Sequence, residues 1–199
     1  RRLPAFLHRL RRDERGVTIV EFAIIAPVFL LMLVGLFDFG FQIYAQSVMN
    51  GAMQAAGRDS TLEPGGPTAA ELDASVSDKV LLVVPSANVA FTRSNYENFT
   101  DVRQPERFDD TDGDGTCNNG EPFEDVNGNG TYDLDRGMSG QGGADDAVLY
   151  EATASYKRMF PMAEMIGIGK DVEIYGATIL RNQPFADQAE RNPEVVNCP

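Results

Sequence analysis

Tryptophan is absent from this chain of 199 residues, histidine occurs once and cysteine twice. One His and two distant Cys cannot assemble a four-ligand structural zinc site. Two Cys do not make a disulfide-dense miniprotein either. Positive charge is scarce: 17 Lys and Arg stand against 30 Asp and Glu, for a net charge of −13. A chain so acidic is a poor candidate for nucleic-acid binding, because phosphate recognition needs clustered Lys and Arg. The single His is His8, near the start, so the body of the chain offers its Ser and Cys no imidazole base. Carboxylates abound, but a spacing described below accounts for them better than a glycosidase pair does. Neither an enzyme nor a small-molecule substrate is expected.

What is present is unevenly distributed. Residues 1–16 hold six Arg against Asp13 and Glu14, a net +4, which leaves −17 on the remaining 183 residues. An apolar run follows: Phe22 to Phe37 reads FAIIAPVFLLMLVGLF, sixteen residues without a charge. A bilayer span needs about 20 apolar residues. Extending the run back to Val17 reaches that length and takes in Glu21. A basic head, an apolar run and an acidic body describe a membrane-inserted, exported protein. The arginines precede the run, so the positive-inside rule keeps the N-terminus in the cytoplasm and sends the C-terminal part across.

Three readings compete for this segment. A cleaved signal peptide ends in small residues at alternate positions, whereas this run ends in Phe37-Asp38-Phe39-Gly40. A plain uncleaved anchor leaves Glu21 unexplained, because a carboxylate inside hydrocarbon is costly. The third reading uses it. Gly16 stands just before the apolar run and Glu21 lies five residues after it. Prepilin peptidases recognise that layout, cutting after the Gly and leaving the apolar helix attached. Cleavage frees the amine of Val17, which the Glu21 carboxylate can neutralise on the same or a neighbouring subunit.

The residues Glu14-Arg15-Gly16-Val17-Thr18-Ile19-Val20-Glu21-Phe22-Ala23, then Pro27, Gly35-Leu36-Phe37-Asp38-Phe39-Gly40 and Tyr44-Ala45-Gln46, resemble the TadE-like family, to about Arg58. Its members are pseudopilins of the tight adherence (Tad) pilus apparatus. At the far end, Tyr156-Lys157-Arg158-Met159-Phe160-Pro161-Met162 and Arg181-Asn182-Gln183-Pro184-Phe185 look like that family's terminal hairpin. Gln183 stands where many relatives carry Glu. The resemblance implies a single-pass protein of the bacterial inner membrane. It also implies leader removal by a prepilin peptidase, other pilus subunits or assembly proteins as partners, and a role in assembling or initiating the pilus.

The pattern stays helical beyond the span. Phe41, Tyr44, Ala45, Val48, Met49, Ala52, Ala55 and Ala56 recur at steps of three and four, which makes one apolar face. A helix from Val17 to about Arg58 would be about 60 Å long. Pro64-Gly65-Gly66-Pro67 ends it. Thr68 with Glu71 forms a capping box for a second helix to about Val84. Strands are predicted over 87–93, 147–157 and 171–180, with an apolar connector over 159–169. The expected fold is α+β and pilin-like: a long N-terminal transmembrane helix packed on a small antiparallel sheet. The expected organisation is a basic leader over 1–16, the helix over 17–58, an extracytoplasmic domain over 59–187 and a tail over 188–199.

An acidic insertion spans 106–136. Residues 106–135 contain ten acids and one base, Arg107, and nine of the 19 Gly lie between Gly113 and Gly143. Such composition alone would suggest disorder, but the spacing is that of a calcium loop, D-x-D-x-D-G-x₅-E. Asp110, Asp112 and Asp114 occupy positions 1, 3 and 5, followed by Gly115 at 6 and Thr116, through its carbonyl, at 7. Asn118 at 9 would act through water, and Glu121 at 12 would close the site with two oxygens. A second copy begins at Asp125 with Asn127, Asn129, Gly130, Thr131 and Asp133, but Arg136 holds its twelfth position. Asp135, or a carboxylate from the first loop, is the expected substitute. Calcium is thus the expected cofactor, in a structural role.

Cys117 lies inside the first loop and Cys198 is next to last, so an oxidising compartment would allow a disulfide between them. The functional expectation is a minor pseudopilin-like protein with a calcium-stabilised head, periplasmic or in the surface pilus. It would meet the lipid bilayer and pilus components, and no nucleic acid. The alternative is a membrane-anchored calcium-dependent adhesin or sensor that never enters a filament.

Overall fold

A computed structural model describes residues 17–60, 67–160, 164, 167, 169–183 and 191–199. The basic leader with Gly16, the Pro161-Met162 pair and the Pro184-Phe185 pair lie outside these residues. The chain divides into two compact units. One comprises Arg1–Ile43 with Arg158–Asp171, the other Tyr44–Lys157 with Val172–Pro199.

Helix α1, Val17–Asp59, runs for 43 residues and contains Pro27 without ending there. Among the described residues of the first unit, most of its large apolar side chains are exposed. Ile19, Phe22, Ile24, Ile25 and Leu36 are all more than 60% exposed. An apolar surface of that extent calls for a covering, and the helix is long and apolar enough to cross a membrane. Asp38 follows the apolar run and forms an ion pair with Arg158. Arg158 also donates its Nε–H to the Gly169 carbonyl at 3.1 Å and its backbone N–H to Lys170 at 2.8 Å. One residue therefore ties the two ends of the apolar connector together and holds them to the helix.

In the second unit, Ala45, Met49, Ala52, Met53 and Ala56 are buried in a stripe along the rest of α1. The stripe faces strand β5, Asp171–Arg181. A Cβ on Gly176 would lie 2.8 Å from Met49 Cγ and 2.9 Å from Met53 Cγ, so helix and strand approach closely there. Gln46 donates its Nε2–H to the Tyr175 carbonyl at 2.6 Å and fixes the register. The small residues the sequence places on this face permit that distance.

The main sheet has the order β3-β1-β4-β5. Strand β1 is Asn88–Tyr96, β3 is Met138–Ser139 and β4 is Ala147–Lys157. Strands β1 and β4 pair antiparallel over their length, Asn88 opposite Ser155 and Tyr96 opposite Ala147. Buried and exposed residues alternate along β5, so one of its faces is inward. Helix α2, Ala69–Val83, starts at a capping box in which Glu71 N–H donates to Thr68 Oγ1 and Thr68 N–H donates to Glu71. It buries Leu72, Val76 and Val80. Asp73 of α2 accepts both terminal nitrogens of Arg93, at 2.6 and 3.1 Å, and the hydroxyl of Tyr150 at 2.6 Å. The same guanidinium stacks 4.2 Å from the Tyr150 ring centre. Burial, and then the Asp73 carboxylate, push the Tyr150 hydroxyl above its ordinary pKa, so it stays a donor. The architecture is the expected α+β: a long apolar N-terminal helix and a small antiparallel sheet.

The C-terminus departs from expectation. The residues read as a tail include strand β6, Glu194–Asn197, paired antiparallel with β2, Pro122–Asp125. Arg191 is largely buried, donating to Asp146 Oδ2 at 2.7 Å and Asn95 Oδ1 at 2.8 Å. Cys198 is bonded to Cys117, with Cα atoms 5.5 Å apart. These residues supply an edge to the acidic segment through the β2–β6 ladder.

Candidate functional site

The acidic segment is built on β2, whose four residues join the end of one loop to the start of the next. Phe108 bridges to Phe123 on β2, and Glu124 N–H donates to the Arg107 carbonyl at 2.8 Å. Strand β6 covers the other edge, and Cys198 N–H donates to the Glu121 carbonyl at 2.8 Å. A small aromatic cluster of Phe108, Phe123 and Tyr132 lies beneath, with Phe123 fully buried. Both loops thus spring from one short ladder.

In the first loop Asp110 Oδ1 accepts the N–H groups of Gly113 at 2.7 Å and Asp114 at 3.1 Å, and its Oδ2 accepts Gly115 at 2.9 Å. Gly115 has φ +76°, a backbone state that glycine enters without a steric cost. Carboxylate oxygens of Asp110, Asp112 and Asp114 lie within 4.8 Å of one another. Asn118 donates its Nδ2–H to Asp114 at 2.8 Å, while its Oδ1 is buried without a donor. Glu121 is only 3% exposed. Its Oε1 accepts the Thr111 N–H at 2.7 Å and its Oε2 the Asn118 N–H at 3.3 Å.

The second loop repeats the pattern fifteen residues on. Asp125 Oδ1 accepts Gly128 at 2.7 Å and Asn129 at 3.2 Å, and Oδ2 accepts Gly130 at 2.7 Å. Gly130 has φ +76°, as Gly115 does. Asn129 Oδ1 accepts the Thr131 N–H at 2.7 Å, matching Asp114 and Thr116. Asp133 Oδ2 accepts the side-chain amides of Asn127 and Asn129, at 2.7 and 2.6 Å. Arg136 turns away and donates from Nη2 to the Pro105 carbonyl at 2.6 Å. Asp135, the expected substitute, is engaged elsewhere: it accepts the Tyr96 hydroxyl at 3.0 Å and the Gly137 N–H at 3.1 Å. Burial and that carboxylate push the Tyr96 hydroxyl up to about 12, which keeps the bond intact at physiological pH. Glu106, which the spacing did not single out, enters the second loop instead. It is 2% exposed, and its two oxygens accept the N–H groups of Val126 at 2.8 Å and Asp133 at 3.1 Å.

These donors are all oxygens, several of them charged, the set that suits a hard divalent cation rather than a soft one. Glu106, Glu121 and Asp125 are buried carboxylates, and among the described residues none of them is paired with Lys or Arg. Buried charge of one sign ordinarily needs a counter-charge. Of the residues singled out for leader removal, Val17 opens α1 and Glu21 is exposed on it, within the apolar stretch.

The chain is therefore of the class with one long apolar N-terminal helix joined to an α+β body. Residues 16–58 match the family model described as TadE-like protein, nearly the span of α1. The match and the apolar helix together fit a membrane protein associated with a Tad pilus. No curated protein and no solved structure matches the chain.

Proposed function

We propose that this chain is a minor pseudopilin-like protein that acts in assembling or initiating a Tad-type pilus and carries a calcium-stabilised extracytoplasmic head. The observation that carries the reading is the coincidence of the TadE-like match, residues 16–58, with the exposed apolar helix Val17–Asp59. The helix lies in the inner membrane with the arginine-rich end in the cytoplasm. A prepilin peptidase cuts between Gly16 and Val17, and Glu21 answers the amine so formed. The chain performs no chemistry of its own; its work is association through the helix with other pilus subunits or assembly proteins.

Calcium fits the two loops. The carboxylates of Asp110, Asp112 and Asp114 converge, Asn118 Oδ1 is a buried acceptor without a donor, and Glu121 stands at the closing position. In the second loop Asp125, Asn127, Asn129, Thr131 and Asp133 hold the corresponding places. Bound calcium supplies the positive charge that these groups lack and so fixes a segment whose composition otherwise favours disorder. The two loops also favour a second reading, a membrane-anchored calcium-dependent adhesin or sensor outside any filament.

The orientation is tested in intact spheroplasts. Protease added from outside should remove an epitope tag placed after Pro199. Loss of the tag only after lysis would contradict an extracytoplasmic head.

A further inference from the structure

We infer that Glu106, which lies outside both loop motifs, is the closing ligand of the second calcium loop. This rests on the calcium reading above and adds the residue that the second motif lacks. The argument is a correspondence between two independent segments. In the first loop the closing carboxylate, Glu121, accepts the N–H of loop position 2 (Thr111) on one oxygen and of position 9 (Asn118) on the other. In the second loop the residues at positions 2 and 9 are Val126 and Asp133, and their N–H groups go to the two oxygens of Glu106. Glu106 thus occupies in the second loop the place that Glu121 occupies in the first, although it precedes Asp125 by nineteen residues instead of following it by eleven.

A second observation points to a cation there. Glu106 is 98% buried and has no Lys or Arg partner among the described residues. Two backbone N–H bonds satisfy one lone pair on each oxygen and leave the charge unmatched. The backbone holds the side chain in place: Glu106 N–H donates to the Asp133 carbonyl at 3.0 Å, and Arg136 N–H to Gln104 at 2.9 Å. Arg136 meanwhile clasps the Pro105 carbonyl with Nε and Nη2, at 3.0 and 2.6 Å. The arginine that removes the ordinary twelfth ligand therefore helps to position its replacement. The two sites become interlocked, because the second cannot close without a residue that lies upstream of the first.

The test is calorimetric titration of calcium chloride into the full chain in detergent. The wild type should bind two ions and Glu106→Gln one, whereas Asp135→Asn should still bind two. Asp110→Ala should lose the other ion, and the double variant with Glu106→Gln should bind none. Two ions at unchanged affinity in Glu106→Gln would overturn the assignment and leave the calcium reading standing. No binding by the wild type would overturn both. If Glu106→Gln loses both ions, Glu106→Asp decides: a second site weakened at least tenfold beside an unaltered first supports the assignment. Loss of both sites in that variant as well overturns it, because Glu106 would then hold the whole segment rather than one loop.

Discussion

Chelation should open the acidic segment to proteolysis. With EDTA present, proteinase K should cut between Arg107 and Arg136 far faster than with millimolar calcium, while the sheet strands stay protected. The magnitude follows from linkage. A ligand at about 100 times its Kd stabilises the form that binds it by about 2.7 kcal/mol, so its removal raises the open population about a hundredfold. Cleavage tracks that population when opening is fast compared with cutting. The reason for the sensitivity is local. Asp110, Asp112 and Asp114 converge within 4.8 Å, and Glu121 and Asp125 are buried without a basic partner among the described residues. The disulfide from Cys117 to Cys198 and the β2–β6 ladder do not depend on the ion, so the two loops should loosen on either side of a tethered middle. Asp110→Ala with Asp112→Ala should imitate EDTA in the presence of calcium. Equal cleavage rates with and without chelator would remove the calcium reading and leave the fold as it is.

The second large effect is expected where the helix meets the sheet. Met53→Ala should lower the stability of the body by about 2–5 kcal/mol, the usual cost of truncating a buried long side chain to Ala. Met53 is fully buried beside Met49 and lies against β5 at Gly176. The opposite change at the facing position tests the same contact. Gly176→Val puts atoms where Met49 Cγ and Met53 Cγ already lie, 2.8 and 2.9 Å from the new Cβ, and should cost about 1–3 kcal/mol by overpacking. Denaturant midpoints in detergent measure both. A loss below about 0.5 kcal/mol in each would show that the helix does not use this stripe to hold the sheet.

Much of the fold could be read from local patterns, because its elements carry local signals. Helix α1 announces itself through sixteen uncharged residues and then a stripe at steps of three and four. The Thr68–Glu71 box marks the start of α2, and the observed bonds are those the motif requires. Strand β5 alternates strictly, so its limits were nearly right. Strand β4 is buried on both faces over its first four residues, which explains why its sequence shows only partial alternation. Strand β6 was invisible. Its four residues lie between Pro193 and Pro199 with no periodic signal, and its partner β2 is about seventy residues away. Pairing at such a distance leaves no local trace. Glu106 was missed for the same reason. The loop motif assigns ligands by spacing within twelve residues, and a carboxylate that arrives from outside that window obeys no spacing. Asp135 was nearer in sequence, but the Tyr96 hydroxyl holds it.

The central proposal is that α1 is a processed pilin-type helix on which Glu21, set within the apolar stretch, answers a newly freed amine. Intact mass spectrometry of the protein purified from bacterial membranes tests it most directly. The account predicts a chain that begins at Val17, lacking Arg1–Gly16. A membrane-embedded protein that still carries its arginine-rich leader would contradict it.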